Sequence, residues 1–160
     1  MKKFAANYLV SENGEFLKNG VLVIREDGFV AQYIDTKGDL QEIEQLIFHN
    51  GILMAGCSFE RSNLNTSAFV SFIEPPFRFF VLQSVVLSVN FSIQELIELG
   101  KKAQVQFPEM EIPAILNEIS KILQSEGGFI KETIPGIYLL YGVDLVGLHF
   151  TSRSKLRKIL

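Results

Sequence analysis

Apolar and polar positions alternate with a short period over the first third of the chain. Four runs, FAANYLV (4–10), GVLVIRE (20–26), FVAQYID (29–35) and LIFHNGILMAG (46–56), are rich in β-branched and aromatic residues. Between and around them sit Asn13-Gly14, Asn19-Gly20, Asp27-Gly28, Lys37-Gly38 and Asn50-Gly51. Such dipeptides supply the positive φ that tight turns demand. The spacing predicts a small antiparallel or mixed sheet. The period then changes. Ser92-Ile93-Gln94-Glu95 reads as a capping box, and Ile93, Leu96, Ile97 and Gly100 share one helical face. A second helix carries Pro113 in its first turn, where a missing N–H costs nothing. Its stripe is Ile112, Ile115, Leu116, Ile119, Ile122 and Leu123, and Gly127-Gly128 stops it. GIYLLYG (136–142) predicts a returning strand, with a turn starting at Asp144.

Between these regions the pattern is less regular. FRFFVLQSVVLSV (77–89), after Pro75-Pro76, reads as one buried strand or two short ones. The stretch GILMAGCSFERSNLNTS (51–67) reads as a junction ending in a surface loop, and SRSKLRKIL (152–160) as a solvated basic end. These segments predict a single composite-like domain over 1–160. It comprises an N-terminal β-half (1–56), an irregular or strand connection (57–91), a helical pair (92–128) and a C-terminal β-segment with tail (129–160). The expected fold class is α+β, a small sheet or sandwich built from both chain ends with two helices packed on it.

Composition narrows the function. The net charge of −3 offers no global basic field for nucleic acid. The longest uncharged stretch, Phe79 to Gln94, is too short and too polar to span a bilayer. The start of the chain gives way to Asn7 and Glu12 too soon for a secretion signal. With one cysteine, Cys57, there is no internal disulfide framework. A soluble, cytoplasmic protein is expected.

Both ends resemble the amidohydrolase superfamily, in particular its cytosine-deaminase-like and chlorohydrolase-like metal-dependent hydrolases. The resembling residues are Lys18 to Ile24, Asp27-Gly28, Asp39-Leu40, Glu42, Gly51-Ile52-Leu53 and Gly56 at one end. At the other they are Ile134 to Leu140 and Val143-Asp144-Leu145. The resemblance implies a composite β-domain beside a metal-binding (β/α)8 barrel, followed by the barrel's last helices. It also implies a pair of metal-binding histidines shortly after the first β-half, at the positions of Arg61 and Asn63, and a late aspartate at the position of Val85. Neither arginine nor valine offers a metal a lone pair. A barrel needs about 200 residues or more, and only 35 positions separate Gly56 from Ser92. The chain therefore reads as an internally deleted, degenerate member without catalytic residues, metal or other cofactor.

The remaining candidates are sparse. His49 and His149 read as partly buried structural histidines. The sharper alternative has them meeting across the sheet with Glu60 or Asp144 as a third ligand. Cys57 reads as a small buried hydrophobe, and Glu60-Arg61 as a surface ion pair. Phe77, Phe79 and Tyr138 form a possible interaction or ligand surface. The leading expectation is a non-catalytic module acting through a homodimer or a protein partner, because loss of the barrel would uncover apolar faces. The alternatives are a small-molecule binder for nucleobase-like heterocycles and a residual hydrolase acting on C–N bonds. Nucleic acid and membrane are not expected partners.

Overall fold

A computed structural model describes residues 1–61 and 76–160. They form a mixed α+β fold of eight strands and three helices: β1 (Lys2–Val10), β2 (Phe16–Lys18), β3 (Val21–Ile24), β4 (Val30–Ile34), β5 (Leu46–Arg61), α1 (Pro76–Val85), β6 (Asn90–Ser92), α2 (Ile93–Gln106), α3 (Ile112–Ser125), β7 (Phe129–Tyr141) and β8 (Lys155–Lys158). The residues gather into two compact units. The first comprises Met1–Gly56, Ile134–Val146 and Arg153–Leu160; the second comprises Cys57–Thr133 and Gly147–Ser152.

The strands of the first unit lie in the order β4-β3-β1-β5-β7-β8, with β2 also pairing β1. The sheet is mixed, since β1 and β5 run parallel while β1–β3, β3–β4 and β7–β8 are antiparallel. Its core joins Phe4, Ala6 and Leu9 of β1, Leu22 and Ile24 of β3, Leu53 of β5, and Ile137 and Leu139 of β7. Within each strand these residues sit two apart, as the pleat requires. The exception is the step from Ala6 to Leu9. Asn50 and Gly51 together stand opposite Asn7, a bulge that shifts the register.

Asn50-Gly51 was expected to be a turn, and it lies inside β5 instead. Gly51 has φ 138°, and a Cβ there would run into the Leu140 carbonyl oxygen. The bulge leaves the Gly51 N–H without a ladder partner, and it donates to Asn7 Oδ1 at 2.7 Å. The Asn7 carbonyl in turn accepts from Asn19 N at 2.9 Å, fixing the positive-φ turn before β3. One residue thus ties down both places, the register of the parallel pair through its side chain and the end of a hairpin through its backbone carbonyl.

The second unit is built on α1, α2 and α3, with the end of β5 pairing β6 through Ser58–Ser92, Phe59–Phe91 and Glu60–Asn90. Helix α2 begins as the sequence predicts: Ser92 Oγ accepts from Glu95 N at 3.1 Å, and the Glu95 carboxylate accepts from Ser92 N. The expected stripe of α3 is buried throughout.

Residues 57–61 continue strand β5, the strand alternative for this connection. Other expectations fail. Residues 76–85 are helical, not extended, so three helices form rather than two. Pro76 occupies the first position of α1, where its fixed φ favours a helix. Lastly, Lys155–Lys158 form β8 against Tyr138–Tyr141 rather than a loose basic end. Arg157 covers the Tyr141 ring at 5.7 Å, and Ile159 and Leu160 pack on the core.

Replacing Asn7 by alanine should leave the Gly51 N–H unpaired and lower unfolding free energy by about 1–3 kcal/mol. Chemical denaturation of Asn7→Ala measures this; an unchanged midpoint would refute the role given to Asn7.

Candidate functional site

Arg61 ends β5, and its guanidinium is engaged on three sides. Nε donates to the Gly127 carbonyl at 3.0 Å, Nη1 to Val86 at 2.9 Å and Nη2 to Val85 at 3.0 Å. The Phe129 ring lies 4.6 Å from its Cζ, within cation–π range. Its backbone N–H donates to Val89 O at 2.9 Å. Val85 is the last residue of α1, and Gly127 follows the end of α3. Carbonyls at helix ends lack partners within the helix and attract cations. Arg61 therefore caps the end of α1 and ties it to the turn that follows α3, in place of the expected surface pair with Glu60.

Two of the three positions assigned to lost metal ligands thus meet, Arg61 on the carbonyl of Val85, but in a structural contact. They do not fit a metal. The guanidinium is a fixed cation already bonded to oxygens, and the Val85 side chain is apolar and buried. Asn63 lies outside the described residues. Among the described residues, no three His, Cys, Asp or Glu side chains converge as metal ligands. The suggested assembly of His49, His149 and Glu60 or Asp144 therefore does not form.

His49 is half-buried and stacks on Phe4, ring centroids 6.0 Å apart. Burial, and then the Arg157 charge, hold its pKa below the usual imidazole value. A folded-state value below the unfolded one means that the unfolded chain binds more protons, so this histidine lowers stability as pH falls below about 6.5. Cys57 is buried, and burial pushes its thiol up while the Lys131 charge works the other way. A thiol held protonated is a poor nucleophile.

The residues of the proposed aromatic surface fall in both units, Phe77 and Phe79 on α1 and Tyr138 on β7. Phe77 and Phe80 of α1 both meet the Phe107 ring edge-on, at 5.2 and 6.1 Å. Tyr138 stands on β7 opposite Lys158, in the other unit.

A cleft of about 520 Å³ lies elsewhere in the second unit, between the outer face of α2 and segment 147–152. Buried Gln104 organises its back wall. Its Nε2 donates to Met110 O at 2.7 Å and to Phe107 O at 3.3 Å, and its Oε1 accepts from Phe150 N at 3.0 Å. Ile112 N donates to Leu148 O at 2.7 Å. The Phe150 ring packs so closely on Gly100 that a Cβ there would approach it at 3.0 Å. Leu148 has φ 54°, an uncommon conformation for a bulky residue. The segment is thus held in a strained shape immediately before His149, which lines the cleft with Lys101 and Lys102. Sequence reasoning missed these residues. One signal was present: Gln104 continues the buried face of Ile93, Ile97 and Gly100 and is polar.

No known protein family, curated protein or solved structure matches the chain. No helix among the described residues is long and apolar enough to cross a membrane.

Arg61→Ala should destabilise the protein by about 2–4 kcal/mol, since it removes charge-assisted bonds and orphans carbonyls. Arg61→Lys should recover only a minor part, because an ammonium cannot reproduce the planar fork. Thermal and denaturant unfolding of both variants measure this, and full recovery by lysine would contradict the forked geometry.

Proposed function

We propose that this chain is a non-catalytic module of amidohydrolase descent that acts by association, with a second copy of itself as the first partner to test. The observation that carries the reading is the engagement of Arg61. The position where the resemblance implies a metal-binding histidine holds a cation bonded to the Gly127, Val86 and Val85 carbonyls. A residue so used supports the fold and leaves nothing for metal chemistry. The descent itself rests on the sequence pattern at the two chain ends. Association is supported by apolar side chains left in solvent between α1 and β6. Leu87 is 92% exposed, with Val86 and Val89 beside it in the chain. Such a cluster is a natural contact surface.

The cleft beside α2 favours a second reading, a small-molecule binding protein. Its volume lies in the range of small-ligand sites, and its back wall is fixed by Gln104.

Sedimentation of the purified chain should show a dimer that Leu87→Asp dissociates without lowering the unfolding midpoint. Protein purified without chelators should carry no stoichiometric zinc, iron or manganese. A strict monomer that captures no partner overturns the association reading, and a stoichiometric bound metal overturns the non-catalytic one.

A further inference from the structure

We propose that the cleft between α2 and segment 147–152 binds a small phosphate ester with a flat apolar body. This inference rests on the small-molecule reading and gives that site a ligand class.

Charge comes first. The chain is acidic, with a net charge of −3, yet the cleft inverts that balance. Lys101 and Lys102 line it against a single carboxylate, Glu98, and His149 lines it as well. Two lysines lining one cleft suit an anion, and lysine recognises phosphate as a compact point charge. The hydroxyl-bearing Thr151 and Ser152 stand at the same rim and add hydrogen-bond donors of the kind phosphate oxygens accept.

Shape comes second. Beside these polar groups the lining is apolar, with Val105, Pro108 and Phe150. Val105 is 78% exposed on an otherwise ordinary helix face, so an apolar body placed there would cover it. The cleft, about 520 Å³ and open to solvent, accommodates one ring with its phosphate. A bare inorganic ion would leave the apolar wall uncovered.

Preorganisation comes third. Segment 147–152 does not depend on a ligand for its shape. Gln104 Oε1 holds Phe150 N, Ile112 N holds Leu148 O, and Leu148 is kept at positive φ. Strained backbone clusters at binding sites, and a preformed wall reduces the ordering cost of binding.

Nuclear magnetic resonance titration of the full chain with phenyl phosphate, inorganic phosphate and benzyl alcohol tests the assignment. Phenyl phosphate should shift the amide signals of residues 98–108 and 147–152, and its binding should weaken as salt is raised. Inorganic phosphate should bind the same residues at least about tenfold more weakly. The Lys101→Ala/Lys102→Ala double variant should unfold at the same temperature and lose about tenfold or more in phenyl phosphate affinity. Phenyl phosphate binding that the double variant leaves intact overturns the proposal, as does inorganic phosphate binding equally well. If benzyl alcohol shifts the cleft signals and phenyl phosphate does not, the anionic ligand class falls while the small-molecule reading stands. If neither probe shifts them, both fall.

Discussion

The second unit depends on one cation held against backbone carbonyls at the end of α1 and in the turn that follows α3. Neither α1 nor α3 carries a basic residue in its last turn, so neither offsets its own negative C-terminal end. Arg61 arrives from outside, at the end of β5, and bonds in both places. Its planar fork suits the task, because its separate nitrogens point to the Val85, Val86 and Gly127 carbonyls while its face rests on Phe129. An ion pair between Arg78 of α1 and Glu126, the C-cap residue that follows α3, joins the same region. A short, evenly apolar α1 gains its place from these contacts as much as from burial of Val81, Leu82 and Val85.

Other key polar groups follow the same logic. Asn7 satisfies the N–H that the bulge in β5 exposes, and Gln104 satisfies the carbonyls after α2 together with the amide of Phe150. Among the described residues, no buried side-chain nitrogen or oxygen lacks a partner. A buried polar atom is costly unless bonded, so each of these residues fixes local geometry where apolar packing alone would leave alternatives. At Asn7 the geometry is a strand register. At Gln104 it is the wall of a cleft.

Much of the fold was legible in the sequence because local signals and tertiary demands agree there. The capping box at Ser92 and Glu95 forms as read, and the stripe from Ile112 to Leu123 is buried as read. The strands around the early turns also form. Legibility failed where tertiary context decides. The residues of α1 have the β-branched and aromatic content of a strand and no 3.6-residue stripe, so their helical state follows from Pro76 and from packing on α2 and α3. Asn50-Gly51 has the composition of a turn, and only its alignment with Asn7 makes it a bulge. The last strand, Lys155–Lys158, was hidden because four residues of mostly basic character look like a solvated tail until β7 stands beside them. The candidate site was less legible still. The cleft joins α2 to a segment more than 40 positions away, as the Gln104–Phe150 bond records, and no spacing in the sequence announces that pairing.

A guanidinium held by backbone carbonyls belongs to the architecture, and binding surfaces elsewhere then become the places where the molecule can act. The most direct measurement is the proton–nitrogen correlation spectrum of the arginine side chains, with Arg61 assigned by substitution. The account predicts an Arg61 Nε–H that exchanges slowly with solvent and is displaced upfield by the Phe129 ring, with that displacement lost in Phe129→Leu. A rapidly exchanging Arg61 signal at the position of a free arginine would contradict it.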